Sequence, residues 1–236
     1  MDVLRTRLAT LKPKRILDLA TGGGGFAIRL AESVASYGEL VAVDSAQRAV
    51  DMATKNLAAL RGARAELADA AALPYPDGGF DIVGVANSLH HFEDPARVVA
   101  EATRVLASGG RLVVYEMHRE AGTDAEMSHV LLHHWWAAID TAGGTYHAET
   151  FAKDRFRELL GGDAFVRSDW DEESDPKDPA LMEELARTFV AYRAKIDALD
   201  ESRRPPLLAA CEALEARVRD VGFRSAPSIV FIGEKA

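Results

Sequence analysis

The stretch ILDLATGGGGFAIRLA at positions 16–31 constrains this chain more than any other feature. Strand-like residues Ile16, Leu17 and Leu19 flank an acid, Asp18, and lead through Gly22, Gly23, Gly24 and Gly25 straight into a helical pattern. Glycines at such a junction let the backbone turn and come within contact distance of a ligand, which a Cβ would block. The helix that follows points its N-terminal N–H groups at the same place. Glycine runs also make ordinary turns, so the loop alone is weak evidence. Asp44 adds to it, because it closes a second apolar run (Leu40, Val41, Val43) about twenty residues on, where a carboxylate accepts hydrogen bonds from both hydroxyls of a ribose. The two segments together describe a nucleoside-binding pocket.

A nicotinamide enzyme and an S-adenosylmethionine enzyme both fit that description, and the next segments separate them. ELAD at 66–69 ends in a second acid, Asp69, placed after a third strand to hold an adenine amino group while the N–H of Ala70 faces the ring. ALPYPDGGFDIVGVANSLHHFEDP follows at 72–95. In Asp18, Gly22, Gly24, Asp44, Asp69, Leu73-Pro74, Pro76-Asp77, Phe80-Asp81 and Leu89-His90-His91 the chain resembles the class I S-adenosylmethionine-dependent methyltransferases. It is similar in particular to the set that includes the ubiquinone and menaquinone C-methyltransferases. The resemblance runs from about Arg15 to Glu116, and it is specific because LPYPDGGFD stands in register with the glycine loop and both acids.

The resemblance implies an α/β fold with a doubly wound, seven-stranded Rossmann-like sheet, S-adenosylmethionine as cofactor, and a small-molecule methyl acceptor. It also implies cofactor contacts from Asp18, Ala20, Gly22, Gly24, Asp44, Ser45, Asp69, Ala70 and Asn87. The family usually has glycine where Ala20 stands; alanine adds only a methyl group, and cofactor binding is expected to survive it. Gly25 has no assigned purpose.

Composition narrows the partners. At 236 residues the chain can bury a full core as one domain, with residues 1–120 as cofactor-binding core, 121–162 as histidine-rich cap helices and 171–224 as a helical insertion before the last strand. A formal charge of −9 with no basic run argues against a nucleic-acid partner. The acidic run at 171–179 reads as a solvated loop. Cys211 is the only cysteine, compatible with a reducing compartment, and its spacing from Leu208 and Leu214 makes it a core residue. Neither a membrane span nor a signal peptide is visible, and a cytoplasmic protein is expected.

Strand and helix patterns alternate along the chain after a short helix at 2–11. Strands are predicted at 15–19, 40–43, 64–67, 80–86 and 110–117, with Gly109-Gly110 as the turn into the fifth. Asp94 caps a helix at 94–107 that Pro95 opens. Helices at about 124–142 and 152–161 precede a sixth strand near 164–169, and 228–236 supplies the seventh. Between the last two strands a helical pair is predicted. Asp178 caps and Pro179 opens the first helix, which shows Leu181, Leu185, Phe189, Tyr192, Ile196 and Leu199 on one face; Pro205-Pro206 begins a second with Leu208, Cys211, Leu214 and Val218, ended by Gly222. This pair either packs on the sheet, covers the substrate as a lid or forms a homodimer interface.

All seven histidines lie between positions 90 and 147. His90 and His91 follow the fourth strand and read as a wall of the pocket; Glu116 and His118 end the fifth and share one side of it. In HVLLHHWWAAID at 129–140, His129, His133, Trp136 and Asp140 fall within about 60° on a helix, with Leu131, Trp135, Ala138 and Ile139 opposite and core-facing. His134 points away from the histidine face, and His147 lies on a loop after Gly143-Gly144 able to fold back over it. Three uses of that face stay open, in this order. It lines the acceptor pocket, with one neutral imidazole taking a proton from the nucleophile. Alternatively His129 and His133, in an i, i+4 relation, hold Zn²⁺, Fe²⁺ or Mn²⁺ with Asp140, His118 or His147. Last, it is a buried hydrogen-bond network. The candidate catalytic groups are therefore His118, His129, His133, Asp140 and His147. A function of another class, an S-adenosylmethionine sensor or assembly partner without catalysis, fits the same residues.

Overall fold

The structure, a computed structural model, describes residues 2–174 and 181–236, with side chains from residue 185 onward in the second segment. The described strands form one seven-stranded sheet in the order β3-β2-β1-β4-β5-β7-β6. They are β1 Arg15–Leu19, β2 Glu39–Asp44, β3 Ala63–Leu67, β4 Phe80–Ala86, β5 Leu106–Met117, β6 Phe165–Glu173 and β7 Ser228–Lys235. The helices are α1 Val3–Leu8, α2 Gly25–Ser33, α3 Gln47–Leu57, α4 Pro95–Val105, α5 Asp124–Ala142, α6 Lys153–Leu160, α7 Leu181–Asp197 and α8 Arg204–Val221. β1 to β5 run parallel, and β7 enters antiparallel between β5 and β6.

Side-chain alternation along the buried strands feeds two layers of core. Leu17, Leu19, Val41, Val43, Val83 and Val85 face α4 and α6, where Val98, Val105, Phe156 and Leu160 cover them. Ile16, Leu40, Ala42, Ile82 and Val113 face the other way, against Leu4 and Leu8 of α1, Ala27 and Leu30 of α2 and Ala53 and Leu57 of α3. β1 lies between β2 and β4, so the order of the strands reverses there, and the crevice this opens at the strands' carboxyl ends is where an α/β sheet binds its ligand.

Two boundaries differ from the pattern-based expectation. β5 begins at Leu106, not after Gly109-Gly110: Phe80 pairs with Leu106 and Ile82 with Arg111, so residues 107–110 are an irregularity inside the strand, with Gly109 at φ +74°. β6 continues to Glu173 because the whole of it pairs with β7, and this takes Asp171, Glu172 and Glu173 out of the expected solvated loop. The expected helix start at Asp178 and Pro179 lies outside the described residues, as does the rest of the acidic run from residue 175.

α5, α7 and α8 build a separate cap with its own core. Leu132, Trp135 and Ile139 of α5 pack with Leu185, Phe189 and Ile196 of α7 and Leu207, Cys211 and Leu214 of α8. Thr123 caps α5 by accepting from the Glu126 N–H at 3.2 Å, and Glu126 in turn accepts from the Gly122 N–H at 3.0 Å, so the start of α5 is closed by a reciprocal pair. The face expected to hold Leu131 and Ala138 in the core is rotated: both are exposed, and Leu132 is buried instead. The reason is tertiary, because α7 and α8 cover only the Leu132–Trp135–Ile139 stripe. No described helix is long and apolar enough to cross a membrane.

Trp135 ties this cap together, being 4% exposed with its indole N–H donated to the Leu207 carbonyl at 2.9 Å. Trp135→Ala is expected to cost about 3–5 kcal/mol in urea denaturation, as a large buried side chain is removed and a carbonyl is left unpaired. Hydrogen exchange on that variant should show the amides of α7 and α8 losing protection before those of β1, β4 and β5.

Candidate active site

The glycine loop owes its course to three left-handed residues. Gly22 has φ +53° and Gly24 φ +83°, and a Cβ on Gly24 would press on Leu57 at 3.3 Å. Ala20 also sits at φ +49°, a conformation that glycine takes freely and an L side chain takes at some cost. Gly25 begins α2 with neither a positive φ nor a close neighbour, so nothing local demands glycine.

Three acids stand around this loop. Asp44 ends β2 and accepts from the Gly22 and Ala46 N–H groups, each at 2.9 Å, which fixes its carboxylate against the loop. Asp69, past the end of β3, accepts from the Ala71 N–H at 2.8 Å, beside the buried Ala70. Ser45 is exposed after β2. Asp18 is fully buried; Oδ2 accepts from the Thr21 hydroxyl at 2.5 Å, while Oδ1 has no partner among the described residues. Burial, against the hydrogen bonds of Thr21 and Ala27 and with the charge of Asp44 adding to it, raises its carboxyl to about 7.

Beyond β4 the chain turns at Asn87, also left-handed at φ +46°, whose Oδ1 accepts from the Met117 N–H at 3.0 Å. The next residue, Ser88, reaches the Ala20 carbonyl at 3.4 Å, so the turn that carries His90 adjoins the glycine loop. Glu116 at the end of β5 is fully buried and accepts from the Ser88 N–H at 2.6 Å and the Leu89 N–H at 2.9 Å; its other oxygen lies 3.3 Å from His90 Nδ1.

Besides its neighbour His91, at 4.4 Å between centroids, His90 meets two rings from elsewhere in the chain. His133 of α5 and His147 of the following loop lie at centroid distances of 4.7 and 5.4 Å from it, and 5.2 Å from each other. The loop does fold back: the Ala148 N–H donates to the His90 carbonyl at 2.9 Å, and Thr141 donates its hydroxyl to the His147 carbonyl at 3.1 Å. Asp140 faces His147 Nδ1 at 3.0 Å and takes the Lys195 ammonium of α7 at 2.9 Å. Burial would raise its pKa, but these two hydrogen bonds hold it below the usual carboxylate value.

His129 and His118 do not join this group. His129 Nδ1 accepts from the Ala226 N–H at 3.0 Å and its ring lies against Phe223, so the helical pair His129–His133 is not a chelate: the chain between α8 and β7 has occupied one half of it. His118 is buried where the chain leaves β5, with Nδ1 accepting from the Glu120 N–H at 3.2 Å and Nε2 at 3.6 Å from Glu172 of β6. Its position past the strand end turns it toward β6 and away from Glu116. His134, as expected, points elsewhere and meets the Thr150 hydroxyl at 2.9 Å.

A cavity of about 350 Å³ opens beside these groups, lined by Asn87, Met117, His129, His133, Trp136 and Ala226 among others. Trp136 stacks on Tyr192 of α7 at 5.1 Å and 13°. Desolvation pushes His129 down to about 4, and desolvation together with the neighbouring His90 and His147 pushes His133 down to about 2. Imidazoles held so low are neutral at neutral pH and poor proton acceptors, which turns them from general bases into hydrogen-bonding or ligating groups.

Known proteins match both the sequence and the shape. Residues 17–114 match the methyltransferase domain family model. Demethylmenaquinone methyltransferase of Thermus thermophilus is 47% identical over 106 residues, 44% of this chain and 47% of that protein. The 27-O-demethylrifamycin SV methyltransferase of Amycolatopsis mediterranei is 38% identical over 136 residues, 54% of this chain and 50% of that protein. The chain thus spans about half the length of the curated relatives it matches. The YcgJ protein of Bacillus subtilis shares the fold, with a TM-score of 0.63 over 98% of this chain and 95% of that one at 18% identity.

Residues 17–114 are therefore similar to a methyltransferase domain.

The matched segment ends at β5, so α5, the His147 loop, α7 and α8 lie outside it. Sequence reasoning missed Glu116 and Lys195 as parts of the site, and gave His90 only a wall's role. An acid closing an apolar strand was the available signal for Glu116; Lys195, some fifty residues from Asp140, left none.

Asp18 makes stability depend on pH. The unfolded carboxyl ionises near its ordinary 3.8 and the folded one keeps its proton to about 7, so between these values the folded state holds one proton more and stability falls as pH rises. Asp18→Asn should remove that slope. Urea denaturation of ligand-free protein at a series of pH values should show the variant gaining on the wild type from pH 4 to 7, and a constant difference would contradict the assignment.

Proposed function

We propose that this protein transfers the methyl group of S-adenosylmethionine to a small-molecule acceptor held in the cavity beside His129, His133 and Trp136. The observation that carries the reading is the juxtaposition at Ser88, which links the glycine loop of one half-site to the histidine turn of the other. The residues present fit the cofactor: Asp18 Oδ1 is a buried acceptor without a partner, and a Cβ on Gly22 would meet open space within 4 Å.

When bound, S-adenosylmethionine supplies an activated methyl group with its own leaving group, so the protein's work is alignment and exclusion of water. In this reading Asp44 accepts from the ribose hydroxyls, Asp69 and Ala70 hold the adenine, Ala20, Gly22, Gly24 and Ser45 shape the loop around them, and Asp18 and Asn87 bound the methionine end. On the acceptor side Trp136 offers a flat wall, backed by Tyr192, which suits a ring. The two relatives are named for demethylmenaquinone and 27-O-demethylrifamycin SV, both small molecules, and this supports an acceptor of that class. Asp140 acts through His147 as a positioning residue. His118 has no part in this proposal.

Asp44→Ala should weaken S-adenosylmethionine and S-adenosylhomocysteine alike. Two ribose hydroxyls left without an acceptor cost about 1–3 kcal/mol, or about 5- to 150-fold in Kd. Isothermal calorimetry checks this; unchanged affinity, or preference for a nicotinamide dinucleotide over both ligands, would overturn the reading.

A further inference from the structure

We propose that His90, His133 and His147 are the protein ligands of a divalent transition-metal site, for an ion of the class that imidazole suits, such as Zn²⁺ or Fe²⁺, with Glu116 and Asp140 orienting two of the rings. Each histidine offers one ring nitrogen, and the three nitrogens lie within 4.8 Å of one another. They come from three separate elements: the turn after β4, α5, and the loop after α5.

Hydrogen bonding settles what these nitrogens present. Carboxylates only accept at neutral pH, so Glu116 at 3.3 Å and Asp140 at 3.0 Å require the proton of His90 and of His147 on Nδ1. In the neutral ring, Nε2 of each is then a lone pair. Both are buried, in residues 1% and 6% exposed, and both lack a hydrogen-bond partner among the described residues, as does the buried Nδ1 of His133. Lone pairs brought together without a donor repel, and a cation in the space between the rings reverses the sign of that interaction. The carboxylate behind each ring is the arrangement that fixes the tautomer of a metal-bound histidine. Glu116 is fully buried with two backbone N–H groups and the His90 ring as its partners, and a dipositive ion one ring away would offset the charge of a carboxylate there.

The spacing is within reach. Nitrogens bound tetrahedrally to Zn²⁺ at about 2.0–2.1 Å are about 3.4 Å apart, so each ring needs to close in by less than about 1 Å. Three protein ligands leave a coordination position for an oxygen. His133 also lines the acceptor cavity, which sets the ion on the acceptor side of the site. That last role rests on the methyl-transfer reading; the ion site does not.

The test uses the full chain, stripped with chelator and titrated with Zn²⁺ alone by calorimetry and with Co²⁺ alone by visible absorption. The expected result is one equivalent of each ion, with Co²⁺ giving the intense bands of a four-coordinate nitrogen-bound ion. His133→Gln and His147→Ala should abolish that step, and Glu116→Gln should weaken it by about 10- to 100-fold. S-adenosylhomocysteine binding in the same variants reports whether they are folded, and Asp140→Asn gives a milder perturbation if one is not. Absence of stoichiometric binding to the wild type, or binding unchanged in His133→Gln and His147→Ala, overturns the proposal. Intact Zn²⁺ stoichiometry in a wild type that binds neither S-adenosylmethionine nor S-adenosylhomocysteine would sink the methyl-transfer reading and leave the metal site standing.

Discussion

The site hangs on one buried carboxylate. Glu116 ends the strand next to β4 and takes two backbone N–H groups from the turn that leaves β4, at 2.6 and 2.9 Å. Those N–H groups have no strand partner, and leaving them unpaired in a dry interior would cost about 1–3 kcal/mol each. Their capture by Glu116 sets the path of residues 88–90, and with it the approach of Ser88 to Ala20 and the orientation of His90. One side chain therefore fixes the seam between the glycine loop and the histidine group.

The second dependence runs through α5, a helix with two clients. Its Leu132–Trp135–Ile139 stripe is the floor of the cap core, and its His129–His133–Trp136 stripe is the wall of the cavity. Because both stripes belong to one rigid element, the packing of α7 and α8 sets the position of His133. The link is direct at Lys195, which reaches from α7 to the Asp140 that orients His147. The helical insertion is thus part of the architecture of the site, and the stacking of Trp136 on Tyr192 repeats the connection a turn away.

Legibility in the sequence followed the range of the interactions. β1 matched its expected limits at Arg15–Leu19, and β2 to β4 came within a residue or so, since a run of apolar residues closed by an acid or glycine is a local signal. The glycine loop and the placement of Asp18, Asp44 and Asp69 at or near the ends of successive strands were legible for the same reason. The start of β5 was not: Gly109 and Gly110 read as a turn, but pairing with β4 draws Leu106 into the strand and absorbs the glycines as an irregularity. The orientation of α5 was half right. Helical periodicity grouped His129, His133, Trp136 and Asp140, yet Leu131 and Ala138 emerged exposed because the covering helices reach only the neighbouring stripe.

The fate of the histidines divides the two levels most clearly. Their confinement to 90–147, downstream of the glycine loop and the three acids, and the doubly wound order of strands that places them at one end of a sheet, were properties of composition and periodicity. Which of them meet was decided by contacts between segments far apart in the chain. Ala226, nearly a hundred residues on, donates its N–H to His129 and takes that ring out of the pair, while Glu116 and the returning loop bring His90 and His147 to His133. A helical repeat specifies which side chains share a face. Only the packed structure specifies what stands opposite that face, because a buried imidazole commits its two nitrogens to whatever partners long-range folding delivers.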